Sequence, residues 1–164
     1  MSTKDFSNKQ ESMVASFLGW SKVAGSGAAT CKAGDVISSK FLGECKTHET
    51  PGSKVTFRQD VWLKICDEAM VFSRIPVLIA DDGTQQWRRT YCLLKPLPDM
   101  SVLPKNEFFV SQYKVGYKKQ LNFDADKIYA KMKKHDCCIY TVEWFDGTML
   151  LMNLETFRKF QQYV

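Results

Sequence analysis

The chain has 164 residues, of which 45% are hydrophobic and 25% are charged, and its formal net charge is +5. This composition predicts a globular domain and excludes a disordered chain, while the mild positive charge permits an anionic partner without requiring one. No run of 18 apolar residues occurs, and the N-terminal sequence MSTKDFSNKQESM has no apolar signal region, so we expect neither a membrane span nor secretion by that route. The six cysteines are therefore expected to be free thiols in a reducing, cytoplasmic compartment.

The first half of the chain alternates helical and strand-like patterns. Apolar residues at helical spacing predict a helix over residues 7–18, with Ser7 and Gln10 as a capping box and Gly19 as its end. The further elements, in chain order, are a strand over 20–24, a small-residue loop over 25–30, strands over 35–38 and 40–46, a helix over 57–73, a buried strand over 75–80 and a strand over 87–94.

The second half is predicted to form a smaller extension. Three of the five prolines lie in residues 95–105, which is typical of a linker or an extended crossing. The elements expected beyond it are a strand over 108–110, a helix over 124–134, a hairpin over 137–152 that turns at Asp146-Gly147, and a last helix capped by Asn153. This order predicts an α/β (mixed α+β) fold with a central mixed sheet flanked by helices. Residues 1–95 would form its core, and residues 96–164 a C-terminal α+β extension packed on that core.

Two carboxylates and a lysine are expected to converge on one surface of the sheet. Asp35 opens one strand, Glu44 lies in its neighbour, and Lys46, two residues further, shares the face of Glu44. Clustered carboxylates are costly unless a cation compensates, and Mg²⁺ prefers one or two carboxylates with water and substrate phosphate. The backbone carbonyl of Cys45 is a further possible ligand, and Glu11 lies on the apolar stripe of the first helix, where it would face the same site. The alternative is that these are solvated surface charges.

The order of these motifs resembles the PD-(D/E)XK nuclease superfamily and, within it, the archaeal-type and phage-type Holliday junction resolvases. The resemblance covers about residues 5–95. One position departs from it, since Gly34 stands where the family often has proline. The matching residues are Glu11, Gly25-Ser26-Gly27, Gly34-Asp35-Val36, Glu44-Cys45-Lys46 and Ile75-Pro76-Val77-Leu78.

This resemblance implies a restriction-endonuclease-like core and an Mg²⁺-dependent, structure-selective DNA endonuclease that acts as a homodimer on branched DNA or a four-way junction. Two divalent ions, with Mn²⁺ as the alternative to Mg²⁺, would be held by Asp35 and Glu44, with Glu11 as a further ligand or a group behind the ligands. Lys46 would position the attacking water, and Ser26 would lie near the scissile phosphate. The small size and the motif order also fit a protein of a mobile element or virus.

DNA binding requires basic side chains around such a site. Apart from the basic residues predicted at the site, a second cluster combines Lys114, Lys118 and Lys119 with two tyrosines, which suits single-stranded or branched DNA. The alternatives are another nuclease of the superfamily (restriction-type, nickase or exonuclease), a non-catalytic nucleic-acid-binding protein on the same fold, and an interaction domain. The predicted DNA contacts at the site are Lys22, Lys32, Lys54, Arg58, Lys64, Arg88 and Arg89.

Overall fold

The computed structural model describes residues 2–23, 33–114 and 119–164. Its N-terminal half contains two helices and six strands. In chain order these are α1 (Thr3–Leu18), β1 (Ser21–Lys22), β2 (Val36–Ile37), β3 (Phe41–Lys46), β4 (Val55–Arg58), α2 (Gln59–Val71), β5 (Ile75–Asp81) and β6 (Thr90–Leu94).

The C-terminal half adds four strands and two helices to the described part of the chain. They are β7 (Phe109–Gln112), β8 (Gln120–Phe123), α3 (Ala125–Met132), β9 (Cys138–Trp144), β10 (Gly147–Asn153) and α4 (Leu154–Phe160). Short 3-10 turns lie at Trp87–Arg89, Met100–Val102 and Gln161–Tyr163.

Eight of the described strands form one mixed sheet in the order β1-β2-β3-β5-β6-β10-β9-β7, and β4 and β8 form a separate pair. The β3–β5 and β7–β9 pairs are parallel, and the remaining pairs are antiparallel. The expected central mixed sheet flanked by helices is therefore confirmed. The C-terminal β10 pairs with β6 in the middle of this sheet, with Leu150 opposite Leu94, so both halves of the chain share it.

Alternating side chains along the strands build two cores, one on each face of the sheet. In β5, Leu78 and Ala80 face the core under α2, β4, β8 and α3. Val77 and Ile79 face the core under α1 and α4. Both faces are thus apolar, which explains why β5 reads as a continuous apolar run in the sequence.

The first helix begins earlier than predicted. Ser2, rather than Ser7, caps it: the Ser2 hydroxyl accepts a hydrogen bond from the backbone N–H of Asp5, and the Asp5 carboxylate accepts one from the Ser2 N–H. Gln10 is consequently not a capping residue and is buried. The predicted end is confirmed, because Gly19 adopts the left-handed conformation (φ 73°) that commonly ends helices.

The other differences arise from pairing across long stretches of sequence. The second helix begins at Gln59 rather than residue 57, because the preceding four residues form β4 against β8. The segment Trp87–Arg89 is a 3-10 turn before β6 instead of strand. The hairpin of β9 and β10 is confirmed, although its turn is Phe145-Asp146 and Gly147 already pairs with Trp144. The Asn153 cap is also confirmed, since Asn153 accepts a hydrogen bond from the N–H of Thr156.

Two further observations concern the described residues as a whole. None of their helices has the length and apolar character needed to cross a bilayer. The cysteines that the structure describes are all free thiols, as expected, at positions 45, 66, 92, 137 and 138.

Candidate active site

A cleft of about 610 Å³ lies between α1 and the strands β1, β2 and β3. We call it the acidic cleft, because the carboxylates of Glu11, Asp35 and Glu44 line it. Lys22, Cys45 and Lys46 line it as well, so the structure brings six of the predicted site residues together. Ser26 and Lys32 lie outside the described residues. The remaining lining residues are Thr3, Lys4, Ser7, Asn8 and Val23.

Backbone hydrogen bonds across the β2–β3 hairpin position Asp35. Its N–H donates to the carbonyl of Gly43, and its Oδ2 accepts a hydrogen bond of 2.8 Å from the N–H of Cys45. Only 7% of Asp35 is exposed. The carboxylate is thus fixed beside Glu44 by the geometry of the hairpin itself.

The residue before Asp35 must be glycine in this backbone. Gly34 has φ 62°, and a Cβ atom added to it would lie 2.9 Å from the side chain of Leu42. Proline, which the resembling family often has here, is locked at a negative φ and cannot adopt this conformation. The Gly34 N–H donates to Glu68 Oε2 at 2.8 Å, which joins the loop to α2.

Glu44 is a buried carboxylate flanked by two lysines. Its Oε1 lies 3.2 Å from Lys46 Nζ and 3.8 Å from Lys64 Nζ. Burial raises the pKa of Glu44, and the negative charge of Asp35 raises it further, although the two lysines oppose this. Proximity to Glu44 in turn raises the pKa of Lys64. The ionised carboxylate pair is therefore unfavourable by itself and is stabilised by positive charge.

Glu11 reaches the cleft from α1, as its position on the buried stripe of the helix predicts. Its side chain is 13% exposed, and its Oε2 lies 3.9 Å from Lys22 Nζ on β1. Lys4, Ser7 and Asn8 precede Glu11 at helical spacing and line the same cleft. Lys4 and Asn8 were not predicted to lie at the site and Ser7 was predicted only as a helix cap, although their spacing relative to Glu11 would have revealed all three.

Gln10, which the sequence predicts as a capping residue, instead links α1 to the strands beside the cleft. It is 1% exposed, and its Nε2 donates to the backbone carbonyl of Lys46 at 2.6 Å and to Asp81 Oδ1 at 3.4 Å. Asp81 is fully buried and accepts a hydrogen bond of 2.6 Å from the N–H of Gln85. Gln85 Nε2 donates back to the carbonyl of Phe6 on α1. A closed network thus fixes the helix of Glu11 against the strand end of Lys46.

The other predicted DNA contacts are dispersed. Lys54 lies in the exposed loop before β4. Arg58 pairs with Asp60 at 2.8 Å. Arg88 stacks over Trp87 in a different cavity. Arg89 pairs with the buried Asp82 and with Asp126.

The charged side chains determine whether a divalent cation fits this site. Within the described ranges, no group of three or more His, Cys, Asp or Glu side chains has metal-binding geometry. Mg²⁺, however, is usually held by only one or two carboxylates, with water and substrate phosphate completing its shell. Asp35 and Glu44 supply such a pair. Their mutual repulsion and burial are what a cation would relieve, so these residues fit the ion.

The Cys45 thiol is not part of this donor set. It is buried among the apolar residues of the opposite core, beside Val77 and Ile79. Burial raises the pKa of the thiol well above its ordinary value. The side chain therefore stays protonated and is no metal ligand.

Comparison of the chain with protein-family models, with curated proteins and with solved structures finds no match. The functional interpretation consequently rests on the geometry of the acidic cleft.

Proposed function

We propose that this protein is an Mg²⁺-dependent DNA endonuclease that selects branched DNA, such as a four-way junction, as Holliday junction resolvases do. One observation carries the proposal. Asp35 and Glu44 are buried together in a cleft, and Lys46 Nζ lies 3.2 Å from Glu44. A sheet surface that had only to bind a partner would have no need of two coupled, buried carboxylates.

The strand order around the cleft supports a restriction-endonuclease-like core. Asp35 stands before β2, and Glu44 and Lys46 lie on the antiparallel β3. The chain then passes through β4 and α2 to β5, which pairs with β3 in parallel. This order supports the assignment of Asp35, Glu44 and Lys46 to a PD-(D/E)XK motif.

Each cleft residue has a distinct role in the proposed hydrolysis. When bound, the Mg²⁺ ion would offset the charge of the phosphate and acidify a water molecule. Asp35 and Glu44 would hold this ion, with Glu11 as a further carboxylate, and Lys46 would orient the attacking water. One P–O bond would form to the water oxygen as the bond to the leaving oxygen breaks. The attacking water would lose its proton to solvent, and the leaving oxygen would take one from solvent.

Cations around the acids would hold the polyanion. Lys22 and Lys64 flank the carboxylates from β1 and α2, and Lys4 approaches from the start of α1. No base-reading motif is evident in the sequence, so these contacts would select shape and charge rather than sequence. A homodimer would place two such clefts on one junction and allow paired cuts.

Cleavage of a labelled four-way junction and of a linear duplex with the same arms tests the proposal. We expect paired nicks in the junction with Mg²⁺, and their loss in Asp35→Asn. Asp67→Asn, the same change at an exposed site on α2, is the matched control and should cut normally. Equal cutting of both DNAs would indicate a general nuclease of the same fold. Junction binding without cutting by the unaltered protein would indicate a non-catalytic binding protein.

A further inference from the structure

Three cavities adjoin one another and share residues where they meet. The acidic cleft shares Lys46 with a cavity of about 260 Å³ between β3, β4 and α2. That middle cavity shares Arg58 with a third cavity of about 450 Å³ that extends to Lys119. Together they extend from the buried carboxylates, past Lys46 and Arg58, to the start of β8.

The middle cavity is lined by both apolar and basic residues. Leu78 and Ala80 of β5 and Val61 of α2 supply the apolar part of the lining. His48, Lys46 and Arg58 also line it, and the guanidinium of Arg58 is paired with Asp60. An apolar lining suits the face of a base, and the basic residues suit the phosphates on either side of it.

The size of the cavity limits what can enter. Pockets for drug-sized ligands begin at about 300 Å³, so the middle cavity is sized for one base rather than a stretch of duplex. Because the middle cavity shares Lys46 with the acidic cleft, a base bound in it would lie next to the phosphate that the cleft would hold. A base can enter only when it is unpaired and unstacked from its neighbours.

We propose that the middle cavity is a binding site for one unpaired nucleotide of the strand being cut, and that this strand continues past Arg58 to Lys119. This inference rests on the proposed function and specifies its substrate. The strand next to the scissile phosphate is single-stranded, as it is at a branch point or a gap. The cavity then contributes to the selection of branched over linear DNA.

Binding in the cleavage-deficient Asp35→Asn protein isolates this inference from catalysis. The probes are a fluorescein-labelled 15-nucleotide single strand and a duplex of the same length, followed by anisotropy. Val61→Phe, which fills the middle cavity, should weaken binding of the single strand about tenfold and leave the duplex within about twofold. Val71→Phe, the same change at a position 79% exposed at the end of α2, is the control and should alter neither.

A second variant tests the path without touching the core. Lys119→Gln should weaken single-strand binding and lower the slope of log affinity against log salt by about 0.7. Lys105→Gln, an equal loss of charge at an exposed site outside the three cavities, should not. An equal effect of Val61→Phe on the binding of both probes, or no effect of Val61→Phe and Lys119→Gln, would contradict the proposed nucleotide site and the proposed course of the strand. Failure of the unaltered protein to cut any DNA, with these binding differences intact, would overturn the proposed function alone.

Discussion

The side-chain amide of Gln10 donates a hydrogen bond of 2.6 Å to the backbone carbonyl of Lys46. This contact joins the helix that presents Glu11 to the strand end that presents the proposed water-orienting lysine. Gln10 is 1% exposed whereas Lys46 is an exposed residue, so the bond is only partly buried. Loss of an intramolecular hydrogen bond of this kind costs about 0.5–1.5 kcal/mol.

We predict that Gln10→Ala lowers kcat for junction cleavage about ten- to a hundredfold and leaves KM within about twofold, because Lys46 loses its fixed position while the binding lysines keep theirs. Gln85→Ala is the matched control. It removes another hydrogen bond of the same network, to the carbonyl of Phe6, and should lower the melting temperature without a comparable loss of kcat. If Gln10→Ala and Gln85→Ala change kcat to the same extent, Gln10 acts only on stability.

Lys46 and Lys64 both lie beside Glu44, but we expect different roles for them. Lys46→Ala should reduce the single-turnover cleavage rate by about 10²–10⁴-fold, the usual effect of removing a positioned proton-transfer group. Lys64→Ala should weaken junction binding, since its ammonium lies 3.8 Å from Glu44 at the rim, and should change the saturated rate by less than about tenfold. Rates that fall equally in both variants would argue against Lys46 as the water-orienting residue.

Gly34 is predicted to be intolerant of any side chain. Gly34→Ala would place a Cβ atom 2.9 Å from Leu42 in a left-handed conformation, so we expect a loss of about 2–4 kcal/mol in the free energy of unfolding. Gly52→Ala is the control. Its φ is also positive, at 83°, but nothing lies within 4 Å of the added atom, so only about 1–2 kcal/mol should be lost. Urea unfolding of the two variants measures the difference.

The buried carboxyl of Asp81 is expected to make stability depend on pH. Burial raises its pKa above the ordinary value of 3.8, so the folded protein retains this proton at pH values where the unfolded chain has lost it. The contribution of Asp81 to stability is therefore fully present below the unfolded pKa and is lost as the pH rises through the folded pKa.

We predict that Asp81→Asn flattens the dependence of the unfolding free energy on pH above the ordinary carboxyl pKa of 3.8, relative to the unaltered protein. Asp136→Asn, at an exposed position, should leave that dependence unchanged. Chemical denaturation at a series of pH values makes the comparison. A curve for Asp81→Asn parallel to that of the unaltered protein would contradict the assignment.

Local pattern alone determined several features of the candidate site. The two-residue period of a strand places Glu44 and Lys46 on one face, and the structure finds them 3.2 Å apart. Helical spacing places Glu11 on the buried side of α1, where the cleft is. The sequence also predicted the hairpin near Asp146-Gly147 and the end of α1 at Gly19, because each depends on the conformational preferences of a few adjacent residues.

Contacts between distant parts of the chain required the tertiary structure. The strand β4 went unpredicted because its partner β8 lies more than 60 residues away, and its last two residues were predicted as the start of a helix. The sequence predicts that Arg89 contacts a phosphate, whereas its guanidinium forms ion pairs with Asp82 and Asp126.

Gln10 shows the same limit within the site. Its polar character suggested a capping residue, whereas its partner is a backbone carbonyl 36 residues further along the chain. The sequence by itself thus determined which side chains share a face of each element, because that follows from the periodicity of the backbone. Only the tertiary structure decided which faces meet, since the hydrogen bonds and ion pairs of buried polar groups depend on how helices and strands pack together.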